Sequence, residues 1–427
     1  MPKSRLILIA ILGVIGVFFL LVFFGILPGL QKNDPKTQIT KLTFWGVFDK
    51  KANMEKILPA IPGFQATYTE MDPKTYESDL VNALASGTGP DIFMINRSWI
   101  PKHSDKLVPL TPKDLNIKSL RDIYPTVVEQ DFSPNGYIYA LPLWMDTLAL
   151  FYNKNIFDQK GVVFQPKNWK EFQDAVSKTT EIDKSGRILK SGASIGGSET
   201  SVYKASDILS ALMLQTGTPM VSADFAHATF SQKGIGSLNF YADFANPKSK
   251  YYTWNDSIDY SLDSFAKEKS AMMIGYAYSV DAIKARNPFL KYGISELPVP
   301  ENSGTRVDYP DYWGVAVSKK TKNALKAWSF IYALASNQQI VKNYTKLNNR
   351  LPALRSLLTT KTNDPFWGVF AQSALTARSW PEVDPSQVNE IFSNMISNVI
   401  TGNSTSQKAI KEAEAKITNL MQNRKKF

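Results

Sequence analysis

The chain has 427 residues, 44% of them hydrophobic and 20% charged, which supplies material for a large folded core and argues against a disordered polymer. Cysteine is absent, and the two histidines, His103 and His227, lie far apart with no HExxH sequence; disulfides, thiolate nucleophiles, a cysteine- or histidine-based metal site and a Ser-His-Asp centre are therefore set aside. The formal charge of +11 raises nucleic acid or an anionic surface as a partner, but the cations are spread along the whole length without a run of five, which reads as a solvated basic surface and no nucleic-acid partner.

From Leu6 to Leu27 run 22 residues without a charge. As a helix this stretch would be about 33 Å long, which predicts an N-terminal transmembrane helix. Pro28, Gly29 and Leu30 follow in place of a small-residue cleavage site, so residues 1–30 are expected to stay as the membrane anchor. Residues 31–40 are polar and contain Pro35, which suits a linker. Strands are then predicted at KLTFWG, GFQATYTE and DIFMI, separated by a helical stretch reaching Leu58 and by a helix carrying Tyr76, Leu80 and Leu84 on one face and closed by Gly87. That β-α-β-α-β succession is the opening of a parallel sheet covered by helices.

After the turn at residues 133–136 comes the strand-like run YIYALPLW, and then helix-rich sequence. Asn168 with Glu171 reads as a capping box starting a helix at Trp169. Strand-like runs return at YGISELPVP and WGVAVS. Two late helices follow, one with Val388, Ile391, Phe392, Met395, Ile396 and Val399 at 3-4 spacing and one with Ile410, Ala413, Ile417 and Leu420.

Five segments, ASGTGPDIFMI (85–95), YALPLWMDTLALFYNKNIF (139–157), FAKEKSAMMIGYAYS (265–279), WGVAVSKKTKNALKAWSFIYALAS (313–336) and VITGNSTSQKAIKEAEAKI (399–417), together resemble extracellular solute-binding protein family 1, the maltose-binding-protein-like sugar binders of ABC importers. The resemblance covers the chain from about residue 41 to its end. It implies an α/β, two-lobed periplasmic-binding-protein-like fold of type II with three hinge crossings, one lobe being 41–145 plus 291–340 and the other 146–290 plus 341–427. It further implies a monomer, tethered to the cell membrane with its large domain outside the cytoplasm, that catalyses nothing and needs no cofactor or metal. Such a protein captures a small polar ligand, a mono- or oligosaccharide, and passes it to ABC permease subunits. The chain departs from many relatives in lacking a lipidation cysteine, and in having Tyr276 and Tyr278 where many sugar-binding members have tryptophan.

A saccharide offers apolar faces and a rim of hydroxyls, so its binder needs flat aromatic rings and a few fixed polar groups. Trp45, Trp99, Trp144 and Trp313 sit at strand ends or in the loops after them, where α/β sheets place ligands, and Trp380 precedes a late helix. Trp169 and Trp328 lie in helical patterns and read as core. For the polar rim the resemblance points to Asp146, at the position of a ligand-contacting carboxylate beside the first crossing; Tyr276, Tyr278, Asn96, Arg97 and Arg350 complete the candidates. Three alternatives to this reading stay open at this stage: capture of a non-sugar solute, an exported carbohydrate-active enzyme working through a pair of carboxylates, and, against the preferred reading of the charge, nucleic-acid binding at the cell surface through a continuous basic groove.

Overall fold

The computed structural model describes residues 39–423 other than residue 302, so the Leu6–Leu27 run lies outside the described residues. Among the described residues no helix is long and apolar enough to cross a membrane. From Lys41 onward the chain forms one compact unit.

Strand β1 (Thr40–Gly46) alternates in the way its sequence does, burying Leu42 and Phe44 and turning Lys41 and Thr43 to solvent. Strand β2 (Phe64–Glu70) follows, then the helix Tyr76–Ser86, which buries Tyr76, Leu80 and Leu84 and ends at Gly87 with φ 79°. Strand β3 (Ile92–Asn96) buries its four apolar residues on both faces. Ten further strands are β4 (Leu141–Pro142), β5 (Trp144–Thr147), β6 (Ala149–Asn153), β7 (Glu181–Ile182), β8 (Ile188–Lys190), β9 (Met272–Gly275), β10 (Tyr292–Glu296), β11 (Pro310–Asp311), β12 (Trp313–Val317) and β13 (Leu351–Pro352).

The main sheet has the order β2-β1-β3-β12-β4. β1 and β3 are parallel, as the opening pattern requires, but β12 runs antiparallel to both β3 and β4. The sheet is therefore mixed, because the late WGVAVS segment enters it from the end at which β3 finishes. The expected single strand YIYALPLW is split into β4 and β5, since Pro142 has no N–H with which to extend a ladder.

A second sheet, β10-β6-β9, is antiparallel throughout. Its side chains alternate between two hydrophobic clusters: Phe151 and Met273 join the one built around the main sheet, while Leu150, Met272 and Ile274 join the other. That second cluster is completed by Leu209, Tyr241, Phe392 and Ile410 from the helices and by Trp254 from a connecting segment.

Between the two sheets lies a three-stranded ribbon, β11-β5-β13. β5 carries the chain from β4 to β6, and β11 carries it back from β10 to β12. Position 290/291, an expected lobe boundary, precedes β10, which pairs with β6; the return to the main sheet is made at β11. Residues such as Val341, Tyr344, Leu357 and Phe370 pack in the cluster of the main sheet, whereas Trp380 and the late helices pack in the other.

Candidate functional site

Antiparallel pairing of β12 with β3 sets Trp313 opposite Asn96, so the start of one strand and the end of the other share an edge of the sheet. After Asn96 the chain tightens into a 3-10 turn, Arg97–Trp99, capped by the Asn96 side chain, which accepts from Ser98 N at 3.0 Å. Trp99 meets Trp313 edge-on at 5.0 Å between centroids, and Phe48 meets Trp313 at 5.5 Å. Phe48 has a φ of 66°, a left-handed conformation that costs a bulky side chain about 1–2 kcal/mol. Its neighbour Asp49 holds it there: the buried carboxylate accepts from Tyr344 Oη at 2.7 Å and the Asp49 carbonyl from Tyr68 Oη at 3.2 Å.

These aromatic side chains wall a cavity of about 510 Å³, a size suited to a small ligand. Trp144 enters from β5, with the Arg350 guanidinium 4.5 Å above its ring. The opposite side is made by Tyr203, Lys204 and Asp207 at the start of the helix Ala205–Gln215, by Tyr278 after β9, and by Glu382, Pro385 and Asn389 around the start of the helix Pro385–Ile400. Asp311, from β11, lies between the two sides. Lys204, like Phe48, is held at positive φ (60°), and Asn349 beside Arg350 is as well (49°), so three of the strained backbone positions sit on or next to this cavity.

The charges form a connected network. Asp311 accepts from Asn96 Nδ2 at 3.1 Å and Tyr278 Oη at 3.0 Å, with the Lys204 ammonium at 3.8 Å. Burial pushes its carboxyl up, but Lys204 and Arg97, helped by the two neutral donors, outweigh burial and hold it below the usual range. Burial likewise works against the Lys204 ammonium, yet Asp207 and Asp311 leave it strongly protonated. Arg97 is buried beneath them; its Nε donates to the Pro310 carbonyl at 2.8 Å, its Nη2 to Glu382 at 3.2 Å, and its plane lies over the Tyr309 ring. Burial drives Glu382 up to about 7 against the opposing field of Arg97.

Of the residues singled out in the sequence, Asn96, Arg97, Trp99, Trp144, Tyr278, Trp313 and Arg350 line this cavity, while Trp45, Asp146, Tyr276 and Trp380 do not. Trp45 packs half-buried against the main-sheet cluster. Trp380 is buried and stacks on Phe392 with 6.1 Å between centroids. Tyr276 is fully buried, stacked against Tyr278 and donating to Asp207 Oδ2 at 2.8 Å. The Asp146 carboxylate accepts backbone N–H bonds from Thr147 (2.8 Å), Ala277 (3.0 Å) and Tyr278 (3.2 Å), so it pins the loop after β9 to β5 and thereby sets the position of Tyr278. Phe48, Tyr203, Lys204, Asp207, Asp311, Glu382, Pro385 and Asn389 were not singled out. Phe48 and Asp311 do sit at strand ends, the same positional signal that marks Trp99; Pro385 and Asn389 belong to the late helix but not to its apolar 3-4 stripe, and the others carry no such mark.

The family model for bacterial extracellular solute-binding proteins matches residues 59–367. This chain belongs to that family. A relative named as the galactooligosaccharide-binding protein of Bacillus subtilis is 25% identical over 343 residues, 77% of this chain and 76% of that one. Among solved structures, the cyclic α-maltosyl-1,6-maltose binding protein of Arthrobacter globiformis superposes with a TM-score of 0.75 at 17% identity, over 90% of this chain and 100% of that one. The sugar-binding protein of Xanthomonas citri does so with a TM-score of 0.73 at 19% identity, over 90% and 97%. The solute-binding protein thus shares the two-lobed, mixed α/β fold of these structures, and its family works outside the cytoplasm.

Three buried carboxyls of the solute-binding protein make its stability depend on pH. Burial raises Asp49 to about 6, Asp146 to about 7 and Glu382 to about 7, despite the hydrogen bonds and cations that oppose it. Unfolded, each would titrate near ~4. Through these three groups the folded chain binds more protons than the unfolded chain between about pH 4 and pH 7, so their contribution to stability falls as pH rises through that window; the carboxyls held below the usual range, such as Asp183 and Asp384, act only towards the acid end. The melting temperature is expected to be higher at pH 5 than at pH 8, and Glu382→Gln should flatten the dependence. A melting curve that is flat, or that rises towards pH 8, would contradict these assignments.

Proposed function

We propose that this chain is the substrate-capturing component of an ABC importer, that it binds a mono- or oligosaccharide in the cavity between its two sheets, and that it catalyses nothing. The observation that carries the reading is the lining itself: the rings of Trp99, Trp313, Trp144, Tyr203 and Tyr278 alternate with hydrogen-bonding groups fixed by their own partners, as a sugar's faces and hydroxyls require. Relatives and structural neighbours named for oligosaccharide binding support it. The test is a thermal-shift screen against saccharides, amino acids and polyamines, because a solute that binds only the folded chain raises its melting temperature. A shift with non-sugar solutes alone would reject the saccharide, and turnover of an oligosaccharide would reject the pure binder.

In this proposal β5, β11 and β13 are the three hinge crossings, Leu6–Leu27 is the membrane anchor, and the ligand-contacting groups are those that line the cavity, with Asp146 and Tyr276 supporting them from behind. Lining residues come from both sides of the ribbon, so a ligand touching both sides favours the closed arrangement over the open one. Solution scattering is expected to give a smaller radius of gyration with saturating saccharide than without. An unchanged radius with ligand demonstrably bound would remove hinge closure from the account.

A further inference from the structure

Six charged side chains line the cavity, Arg97, Lys204 and Arg350 against Asp207, Asp311 and Glu382. Arg97 lies 3.2 Å from Glu382, and Lys204 lies 3.6 Å from Asp207 and 3.8 Å from Asp311. Arg350 differs from both. Among the described residues no carboxylate lies within 4.0 Å of it, and the buried Asp49 feels its charge only from beyond that distance. Its guanidinium rests on the Trp144 ring, an arrangement that occupies the flat face of the cation and leaves its edge N–H groups for a fork-shaped acceptor.

Hydrogen-bond accounting points the same way. Three buried polar atoms of the lining have no partner: Arg97 Nη1, Trp144 Nε1 and Arg350 Nε. All three are N–H donors, two of them on guanidinium groups, and no buried acceptor of the lining is left in that condition. A buried donor without an acceptor costs free energy, so these groups favour a ligand that brings oxygens, and negatively charged oxygens above all.

We infer that the ligand is an acidic saccharide, a sugar whose ring carries a carboxylate, and that Arg350, stacked on Trp144, receives that carboxylate. The inference rests on the saccharide reading above. A single negative charge matches the one cation of the lining that lacks a carboxylate. A phosphate ester, which carries nearly two charges at neutral pH, would bring the second against Asp207, Asp311 and Glu382.

The test is calorimetric titration of the full-length protein with di- and trisaccharides of galacturonate, glucuronate and mannuronate. Each is run against its methyl ester, which keeps the ring and removes the charge, with the matching neutral sugar and galactose 1-phosphate alongside. At least one uronate should bind ~10- to 100-fold more tightly than its ester. That preference should weaken with salt, fall to near unity in Arg350→Gln and survive in part in Arg350→Lys. Equal affinity for acid and ester, tighter binding of the phosphate, or an undiminished preference in Arg350→Gln would each overturn the inference. If Arg350→Gln does not fold, the comparison of acid with ester on the unaltered chain decides alone. Binding of neutral sugars without any uronate would sink the acidic ligand and spare saccharide capture, whereas binding of no saccharide at all would sink both.

Discussion

Replacing Arg97 by alanine is expected to cost about 3–5 kcal/mol of folding stability, the range for breaking a buried ion pair from one side. Arg97 is only 5% exposed, and its guanidinium donates to both the Pro310 carbonyl and Glu382. Without it the Glu382 carboxylate would keep only the Tyr309 hydroxyl at 3.0 Å, and the Pro310 carbonyl would lose its donor. Glu382 can relieve part of that cost by taking a proton, since burial already brings it to about 7. The loss should therefore be smaller at pH 5 than at pH 8, and Arg97→Ala combined with Glu382→Gln should cost less than Arg97→Ala alone. Urea denaturation at the two pH values measures this. A loss below about 1 kcal/mol at both would mean that the pair is not buried as described.

The second large effect concerns Trp313, whose ring lies at the centre of the aromatic wall. It meets Phe48, Trp99 and Tyr76, the last at 6.1 Å between centroids, and it also lines the cavity. Truncation to alanine should cost about 3–5 kcal/mol of stability through the void it leaves, and affinity for the bound saccharide should fall by about 1–1.5 kcal/mol or more from the lost ring contact. Trp313→Phe should recover much of both. Trp380 provides the contrast, because it is equally apolar but buried against Phe392 away from the cavity. Trp380→Ala should lower the melting temperature with ligand affinity nearly unchanged. If the two substitutions weakened binding equally, the aromatic wall would have no special part in recognition.

Much of the fold is legible in the sequence wherever one element carries its own pattern. The alternation in KLTFWG, the 3-4 spacing from Tyr76 to Leu84 with Gly87 at its end, and the capping of Trp169–Thr179 by Asn168 are local signals that the structure realises, with Asn168 Oδ1 accepting from Glu171 N at 2.9 Å. The Glu171 carboxylate closes that box one residue early, on Lys167 N. Pairing between distant strands is less legible: nothing local to WGVAVS says that it enters antiparallel beside β3, and that direction is what brings Trp313 to Asn96.

The cavity is legible to a similar degree. Trp99, Trp144 and Trp313 are marked by large rings at strand ends, a signal that needs no tertiary information. It does not separate them from Trp45, which packs on the core, because the same position can point its ring either way. Lys204 and Asp207 come from one helix start and Glu382 from just before another, and in sequence they are ordinary surface charges; only the fold makes them a partly buried network with Arg97 and Asp311. Asp146 is a conspicuous carboxylate beside a crossing, and its three backbone partners become apparent only once the loop after β9 is folded against β5.

The central claim is that a saccharide occupies the cavity walled by Trp99, Trp144 and Trp313. Its most direct test is a calorimetric titration, into the full-length protein and into Trp99→Ala, of the saccharide giving the largest thermal shift. The account predicts one site per chain in the unaltered protein, with affinity reduced about tenfold or more in the variant while the variant still unfolds cooperatively. Equal affinity in a folded Trp99→Ala protein would contradict it, because the sugar would then be held somewhere other than this cavity.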